Sequence, residues 1–361
     1  MLEALEAKGG HVTALVGVFP GEPLAPVVTQ HDANFVYSAD HLDGAYFYAI
    51  AVDPLALGEE HDLVDVPAYR FGHPGYGWLG WLVAAGRPSA VPNALLFVGL
   101  VAMFAAGAGA SLVAAELGWS PWAGLAIALN PGLLFATFAL NSEPMAAAVL
   151  AFTLLAWMKD KRALAGVGLV ALCLIKEQFV LVPLGLFLWD VAQVRRGRTA
   201  PPAAREWLRR GALLAAGPAA LGVWFVYLRS VYGQWPFQQH PLLMNPFTTP
   251  PMGYLDTLSR AAGWHAGAGD TSQLGGAALP LLLVVGAALV LGIVRGLRMT
   301  SPLDPVFILL TLLMFSLTWP QLLYPKDLLR IATIQLALLP AVVAGARRVP
   351  QDASDPPVMR V

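Results

Sequence analysis

Charged residues are scarce in this chain. Asp, Glu, Lys and Arg make up 12% of its 361 residues, which is about half of what a soluble domain carries. Hydrophobic residues make up 57%, and the mean hydropathy is +0.62. The net charge of −1 provides no basic field for a nucleic acid, so none is expected as a partner. This composition excludes an ordinary soluble domain and predicts an all-α polytopic membrane protein with lipid as its surroundings.

Sequence signals for several kinds of site are also missing. The single cysteine, Cys173, lies in an apolar run, which excludes a disulfide framework and a thiolate metal site. The chain has no glycine-rich phosphate loop and no dinucleotide fingerprint, which argues against a cytoplasmic nucleotide-sugar domain. Its Asp and His residues show no close metal-ligand spacing. We therefore predict neither a metal nor a bound cofactor.

Long apolar runs predict about nine membrane-spanning helices, each of which needs roughly 20 apolar residues. They lie at 92–116, 120–140, 143–158, 163–175, 178–194, 211–230, 276–294, 303–320 and 330–346. Basic clusters indicate the orientation, because cytoplasmic connections are rich in Lys and Arg. Four such clusters share one side of this arrangement, at 159–162, 195–198, 295–298 and 347–348. Residues 92–347 then form the transmembrane bundle and 348–361 a disordered cytoplasmic tail, while residues 1–91 and the loop 231–275 are extracytoplasmic.

Residues 1–91 carry eleven acidic residues against three basic ones. A segment on the outer side has to be carried across the membrane, so we expect a first transmembrane helix upstream of it that this chain lacks. Within it, the stretch HLDGAYFYAIAVDP (41–54) places Asp43 before aromatic residues that suit a short helix at the membrane interface. Asp43 is either an active-site acid or the N-cap of that helix. Asp40, three residues earlier, would share its helical face.

A second polar stretch, YRFGHP at 69–74, contains Arg70 and His73. Arg70 could bind a phosphate with two parallel hydrogen bonds, or it could pair with Asp62 or Asp65 and fix the loop. His73 either assists phosphate binding when protonated or is an ordinary polar loop residue.

Polar residues also stand at the outer ends of several predicted spans. Glu143 either complements a helix dipole or faces a cavity. Lys176, beside Glu177, is either a functional charge near membrane depth or a side chain that reaches back to the interface. Lys326 and Arg330 offer a further positive site in the last outer turn. All of these residues lie on the face that holds Asp43, so we expect them to converge on one cavity.

The segment DGAYFYAIAVDP, followed by PAYRF and a multi-helix body, resembles the GT-C superfamily of integral membrane glycosyltransferases, especially its bacterial mannosyltransferase-like members. The resemblance implies inverting transfer of a hexosyl group, such as mannosyl, from a polyprenyl-phosphate sugar donor. The acceptor would be a hydroxyl of a glycan, lipid or protein at the outer face of a bacterial plasma membrane. Asp43 matches the family's catalytic acid and would be the general base, with Asp40 as the second candidate. A basic–acidic pair near the lipid phosphate matches Lys176 and Glu177, whereas related sequences tend to have a second basic residue where this chain has His73.

Two other functions stay open at this point. A transporter or lipid flippase would carry charges at the middle of the membrane and two related halves, whereas this sequence has charges at helix ends and no obvious halves. A non-catalytic, transferase-like membrane protein is the second alternative. The aromatic, nearly uncharged loop 231–275 suits either contact with an acceptor or an interfacial aromatic belt.

Overall fold

The computed structural model describes residues 10–39, 41–238, 247–264 and 278–345. Every regular element in these residues is a helix, which confirms the predicted all-α fold class for this part of the chain. Asp40 and the tail 348–361 lie outside the described residues, so the predictions made for them stay predictions.

Residues 10–91 fold into short helices at one end of a helical bundle. These helices are α1 (Ala25–His31), α2 (Gly44–Val52), α3 (Pro67–Arg70) and α4 (Gly75–Val83), with single 3₁₀ turns at Val12–Leu15, Glu60–Leu63 and Pro88–Ala90. Helix α2 is buried from Gly44 to Ala51, including its three aromatic side chains. The expectation that these aromatics lie at the membrane interface is therefore not met, because they pack within the protein and are at most 7% exposed. The exposed large apolar residues of this segment include Trp81, Leu82 and Val83 on α4.

The bundle itself contains thirteen further helices in the described residues. They are α5 (Val91–Glu116), α6 (Ala123–Ala128), α7 (Pro131–Phe138), α8 (Glu143–Met158), α9 (Arg162–Ile175), α10 (Leu181–Arg195), α11 (Ala204–Tyr232), α12 (Met252–Ala261), α13 (Ala278–Gly296), α14 (Leu303–Ser316), α15 (Trp319–Leu322), α16 (Pro325–Ile331) and α17 (Thr333–Ala344). Two more 3₁₀ turns lie at Glu177–Val180 and Pro236–Gln238. Buried Leu, Ile, Val, Ala and Phe side chains from α5, α8, α9, α10, α13, α14 and α17 form one continuous core.

Four helices in the described residues are long and apolar enough to cross a membrane: Pro88–Glu116, Glu177–Arg195, Ala204–Tyr232 and Ala278–Gly296. Helices α16 and α17, which meet at a bend of 54°, make a fifth if they form one span. Several long apolar helices thus indicate a membrane protein. The predicted count of nine is not confirmed, since α8, α9 and α14 are apolar but shorter.

The span predicted at 120–140 is broken into α6 and α7. Asn130 precedes Pro131, and a residue before proline is disfavoured in the α region. Asn130 is accordingly extended, and its side chain accepts hydrogen bonds from the backbone N–H groups of Gly132 and Leu133. The Asn-Pro pair therefore ends one helix and caps the next.

The basic connections meet at the end of the bundle opposite to α2, which we call the basic end. Arg196 donates a hydrogen bond to the carbonyl of Arg298 over 2.6 Å, and Lys159 lies 2.7 Å from Glu116. The indole of Trp119 donates to the carbonyl of Gly345 over 2.8 Å. Three of the predicted basic clusters thus share one end in the described residues, as the predicted orientation requires.

Candidate functional site

A cavity of about 490 Å³ opens at the end of the bundle that carries α2. We call it the main cavity. Its lining includes seven of the nine residues predicted for the site, contributed by widely separated parts of the chain. They are Asp43, Arg70, His73, Glu143, Lys176, Glu177 and Arg330. The eighth, Lys326, lines a smaller adjoining cavity of about 280 Å³, and the ninth, Asp40, lies outside the described residues.

Close backbone packing places Asp43 at the wall of this cavity. Asp43 precedes the first residue of α2, Gly44, where a Cβ atom would lie 2.8 Å from the carbonyl oxygen of Val16 and 2.9 Å from that of Ala139. Only glycine allows this approach. The side chain of Asp43 makes no capping hydrogen bond to α2. Its carboxylate instead accepts a hydrogen bond from the guanidinium of Arg330, so the capping alternative has no contact to support it.

The charge of Arg330 governs the ionisation of Asp43. Burial by itself would raise the pKa of the Asp43 carboxyl, but the nearby charges of Arg330, Arg70 and Lys176 and the hydrogen bond from Arg330 outweigh it. The pKa of Asp43 is therefore held well below its usual range. The contact with Arg330 therefore favours the ionised form of Asp43.

Arg330 lies near the end of α16, three residues before the first residue of α17. Besides Asp43, it has Asp327 at 3.4 Å and Glu143 at 3.9 Å. Three carboxylates thus surround one guanidinium. The Nε of Arg330 is buried and makes no hydrogen bond to any described residue, so the group retains an unused donor.

Glu143 and Lys176 form a second ion pair in the wall. The Lys176 ammonium donates to Oε1 of Glu143 over 2.7 Å, and the Glu143 side chain is 6% exposed. Lys176 is extended between α9 and the following 3₁₀ turn, which interrupts the apolar run. Ser142, the N-cap of α8, makes no side-chain capping bond, while Glu143 does stand in the first turn of α8. The dipole and cavity interpretations of Glu143 are therefore both compatible with its position.

Arg70 forms the ion pair with a loop carboxylate that was one of its two predicted roles. Its guanidinium binds Asp65 with two hydrogen bonds of 2.9 and 3.1 Å, so the loop pair is with Asp65. It also stacks over the ring of Tyr46, 3.6 Å from the centroid, and lines the main cavity. Arg70 thus holds the loop together while its charge remains available to the site.

His73 is a buried residue rather than a solvated loop residue. Only 8% of it is exposed, and its Nδ1 lies 3.4 Å from a carboxylate oxygen of Glu177. The rings of Phe47 and Tyr69 pack edge-on against it. His73 and Glu177 therefore lie close together in the cavity wall, although Nδ1 of His73 makes no hydrogen bond to a described residue.

Apolar side chains line the rest of the main cavity. They come mainly from α10, α11, α14 and the loop before α12, and include Leu181, Phe225, Phe237, Phe247, Leu310, Leu313, Met314 and Leu317. The loop 231–275 thus contributes Phe237 and Phe247 to the site. Other aromatics of this loop differ in their surroundings, since Tyr254 is buried and Trp264 is 81% exposed.

Four amide side chains in the lining were missed as site residues: Asn141, Gln178, Gln321 and Gln335. Asn141 lies just before the span predicted at 143–158, while Gln321 and Gln335 lie beside or within predicted spans. Polar residues within apolar runs are costly and usually functional, and this signal could have found both glutamines. The Nε2 of Gln335 donates to the carbonyl of Leu310 over 3.1 Å.

Unpaired polar atoms are concentrated in this cavity. Among the described residues, eleven buried side-chain nitrogen or oxygen atoms have no hydrogen-bond partner, and six of them belong to residues of the main cavity. These six residues are His73, Asn141, Glu143, Gln321, Arg330 and Gln335. Buried polar groups in proteins are nearly always paired. A wall with this many unused donors and acceptors is suited to binding a polar ligand.

Asp53, the last acid of the aromatic motif, has a structural role. Its carboxylate accepts hydrogen bonds from the backbone N–H groups of Leu57 and Gly58 over 2.8 and 2.9 Å, and it lies 2.8 Å from Nδ1 of His61. These contacts close the turn after α2. The described residues contain no group of three His, Cys, Asp or Glu side chains that could hold a metal ion.

Comparisons with protein-family models, curated proteins and solved structures find no match to this chain. The GT-C resemblance therefore rests on the motifs of the sequence alone. The case for a function depends on the chemistry of the main cavity.

Proposed function

We propose that the protein is a GT-C-type integral membrane glycosyltransferase. It would move a hexosyl group, such as mannosyl, from a polyprenyl-phosphate donor to an acceptor hydroxyl with inversion at the anomeric carbon. The observation that carries the proposal is the make-up of one cavity. The carboxylate of Asp43 and the cationic groups Arg70, Lys176 and Arg330 stand together with Glu143 and Glu177, and apolar side chains make up most of the remaining wall.

This combination suits a ligand that has an anionic head and a hydrocarbon tail. The cationic groups would bind the donor phosphate with charge-assisted hydrogen bonds, and the apolar wall would contact the polyprenyl chain. Phosphate bound to the lipid is also the leaving group. Stabilising its charge as the glycosidic bond breaks is therefore the main electrostatic task of the site.

Asp43 is the proposed general base. The acceptor oxygen attacks the anomeric carbon, the bond from that carbon to the phosphate oxygen breaks, and the acceptor proton passes to the Asp43 carboxylate. The polyprenyl phosphate leaves with the electron pair of the broken bond. Attack from the face opposite the leaving group gives inversion.

Donor binding would also prepare the base. Asp43 paired with Arg330 has a lowered pKa and is a weak proton acceptor. A donor phosphate that takes up the guanidinium of Arg330 would weaken this pair and raise the pKa of Asp43 toward its ordinary value. The base would then gain strength only when the donor is present.

We assign the site to the outer face of a bacterial plasma membrane. The main cavity includes Glu143 at the first residue of α8, and Lys159 follows the last residue of that helix at the basic end. The positive-inside rule then places the basic end in the cytoplasm and the cavity outside.

The test uses purified protein in nanodiscs with a radiolabelled polyprenyl-phosphate mannose, with and without added acceptor alcohols. We expect the label to move to an acceptor and polyprenyl phosphate to be released. Binding of the donor by the wild type without its consumption, with or without added acceptor, would contradict the proposal and favour a lipid carrier. A panel of polyprenyl-phosphate donors with other sugars is tested in parallel. Transfer from one of these donors would show that the reaction is right and that only the sugar was wrongly chosen.

A further inference from the structure

A second cavity meets the main cavity beside Asp43. This polar cavity has a volume of about 280 Å³, and its lining includes His41, Lys326 and Asp327 together with the backbone and side chains of α7, α15 and α16. Five residues line both cavities: Asp43, Asn141, Gln321, Arg330 and Ile331. The proposed base thus stands where an apolar-walled cavity and a polar one join.

Asn141 is the buried amide at this junction. It is 2% exposed, and its Oδ1 has no hydrogen-bond partner among the described residues. Its backbone is held in a tight turn between α7 and α8, since its N–H donates to the carbonyl of Ala136 over 2.8 Å and the preceding Leu140 has a φ of 51°. Because its Oδ1 accepts no hydrogen bond from a described residue, the side chain does not cap α8. Neither helix capping nor packing with a polar neighbour accounts for an amide at this position.

Gln321 is a second amide at this junction whose oxygen, Oε1, is buried and has no hydrogen-bond partner among the described residues. An amide both donates and accepts, so it matches an alcohol, which does the same, better than it matches a phosphate, which mainly accepts. The two amides therefore suit hydroxyl groups, while the cationic residues of the main cavity suit the phosphate.

We infer that the polar cavity binds the acceptor, that the acceptor is a polyhydroxylated group such as a sugar ring, and that Asn141 holds its reacting hydroxyl toward Asp43. This inference rests on the proposed function and names the acceptor class for it. The volume fits one small polar ring, and an alkyl alcohol would leave the amides of Asn141 and Gln321 unpaired.

The test separates acceptor binding from donor binding. Methyl α-mannoside serves as the polyhydroxylated probe and decanol as the apolar alcohol, each with radiolabelled polyprenyl-phosphate mannose as donor. We expect transfer to methyl mannoside to exceed transfer to decanol. In Asn141→Ala the KM for methyl mannoside should rise about tenfold, because a buried hydrogen bond to the acceptor is lost, while donor affinity stays within about twofold.

Asn130→Ala is the matched control. Asn130 is also an asparagine beside a helix start, but its side chain caps α7 through Gly132 and Leu133. This variant should lower thermal stability and leave the KM for methyl mannoside unchanged. Retained donor binding by Asn141→Ala shows in the same experiment that the variant is folded.

Saturation-transfer NMR measures the binding of methyl mannoside directly, so the inference can be tested without turnover. Binding by wild type and its loss in Asn141→Ala would support the polar cavity even if no sugar is transferred, in which case only the proposed function fails. Equal binding by the two proteins would overturn the inference. A parallel loss of donor and acceptor affinity in Asn141→Ala, or preferred transfer to decanol, would also overturn it.

Discussion

Replacing Asp43 by Asn tests the proposed chemistry at its centre. The change keeps the shape of the side chain and removes the carboxylate charge that Arg330 contacts. Arg330 would keep Asp327 at 3.4 Å and Glu143 at 3.9 Å, so no unpaired charge is left in the wall. We therefore expect Asp43→Asn to fold as the wild type does.

The expected loss of turnover is large. Removing a general base typically slows a reaction about 10²–10⁴-fold, which corresponds to about 3–5 kcal/mol of transition-state stabilisation. Donor affinity should stay the same or increase, because the phosphate no longer competes with a carboxylate for Arg330. If Asp43 were only a helix cap, turnover would hardly change, since Asn caps about as well as Asp.

The assay is single turnover of radiolabelled polyprenyl-phosphate mannose by purified protein, with donor affinity measured on the same samples. Asp32→Asn is the control, because it removes one acid from the same segment at a residue whose Oδ1 accepts a hydrogen bond from the N–H of Asn34, a role that Asn also fills. Asp32→Asn should turn over normally. Near-wild-type turnover of Asp43→Asn would show that Asp43 is not the general base. The proposal that the protein is an enzyme would then lose its main support from an individual residue.

Three further predictions follow from the contacts described above. Arg330→Gln should weaken donor binding and move the acid limb of the kcat/KM profile to higher pH. The guanidinium lowers the pKa of Asp43, so without it the carboxylate takes up a proton at higher pH. An unchanged pH profile would contradict this prediction. Asp53→Ala should reduce the free energy of unfolding by about 2–4 kcal/mol, measured by denaturation, because two backbone N–H groups and His61 lose their partner, while Asp53→Asn should lose less. A cysteine at Asp160 should resist a membrane-impermeant thiol reagent in intact cells and one at Glu60 should react, and the reverse pattern would overturn the orientation.

Local properties of the chain were predictable from the sequence. Helix α8 was predicted at 143–158 and is found at Glu143–Met158, and α9 was predicted at 163–175 and is found at Arg162–Ile175. Hydropathy and turn residues determine such boundaries, because each helix satisfies its own backbone hydrogen bonds. The same reasoning failed at 120–140, where the effect of Pro131 on the preceding residue outweighed the continuous apolar run.

The gathering of polar groups at one end of the helices was also predictable in outline. Charges that interrupt apolar runs are restricted to helix ends, and alternating helices bring every second end to the same face. This is why Asp43, Glu143, Lys176 and Arg330 were expected together and all line one cavity.

Only the tertiary structure decided which groups touch. Asp43 and Arg330 are 287 positions apart, and their contact depends on how α2, α7 and α16 pack, which no local pattern encodes. The same packing buried the aromatic side chains of α2 in protein, and it left Asn141 without a partner at the junction of two cavities. The sequence by itself determined the all-helical class, the bounds of helices such as α8 and α9, and the end at which the polar residues gather. The pairing of charges, and the polar atoms left over for a ligand, arise from contacts between distant parts of the chain.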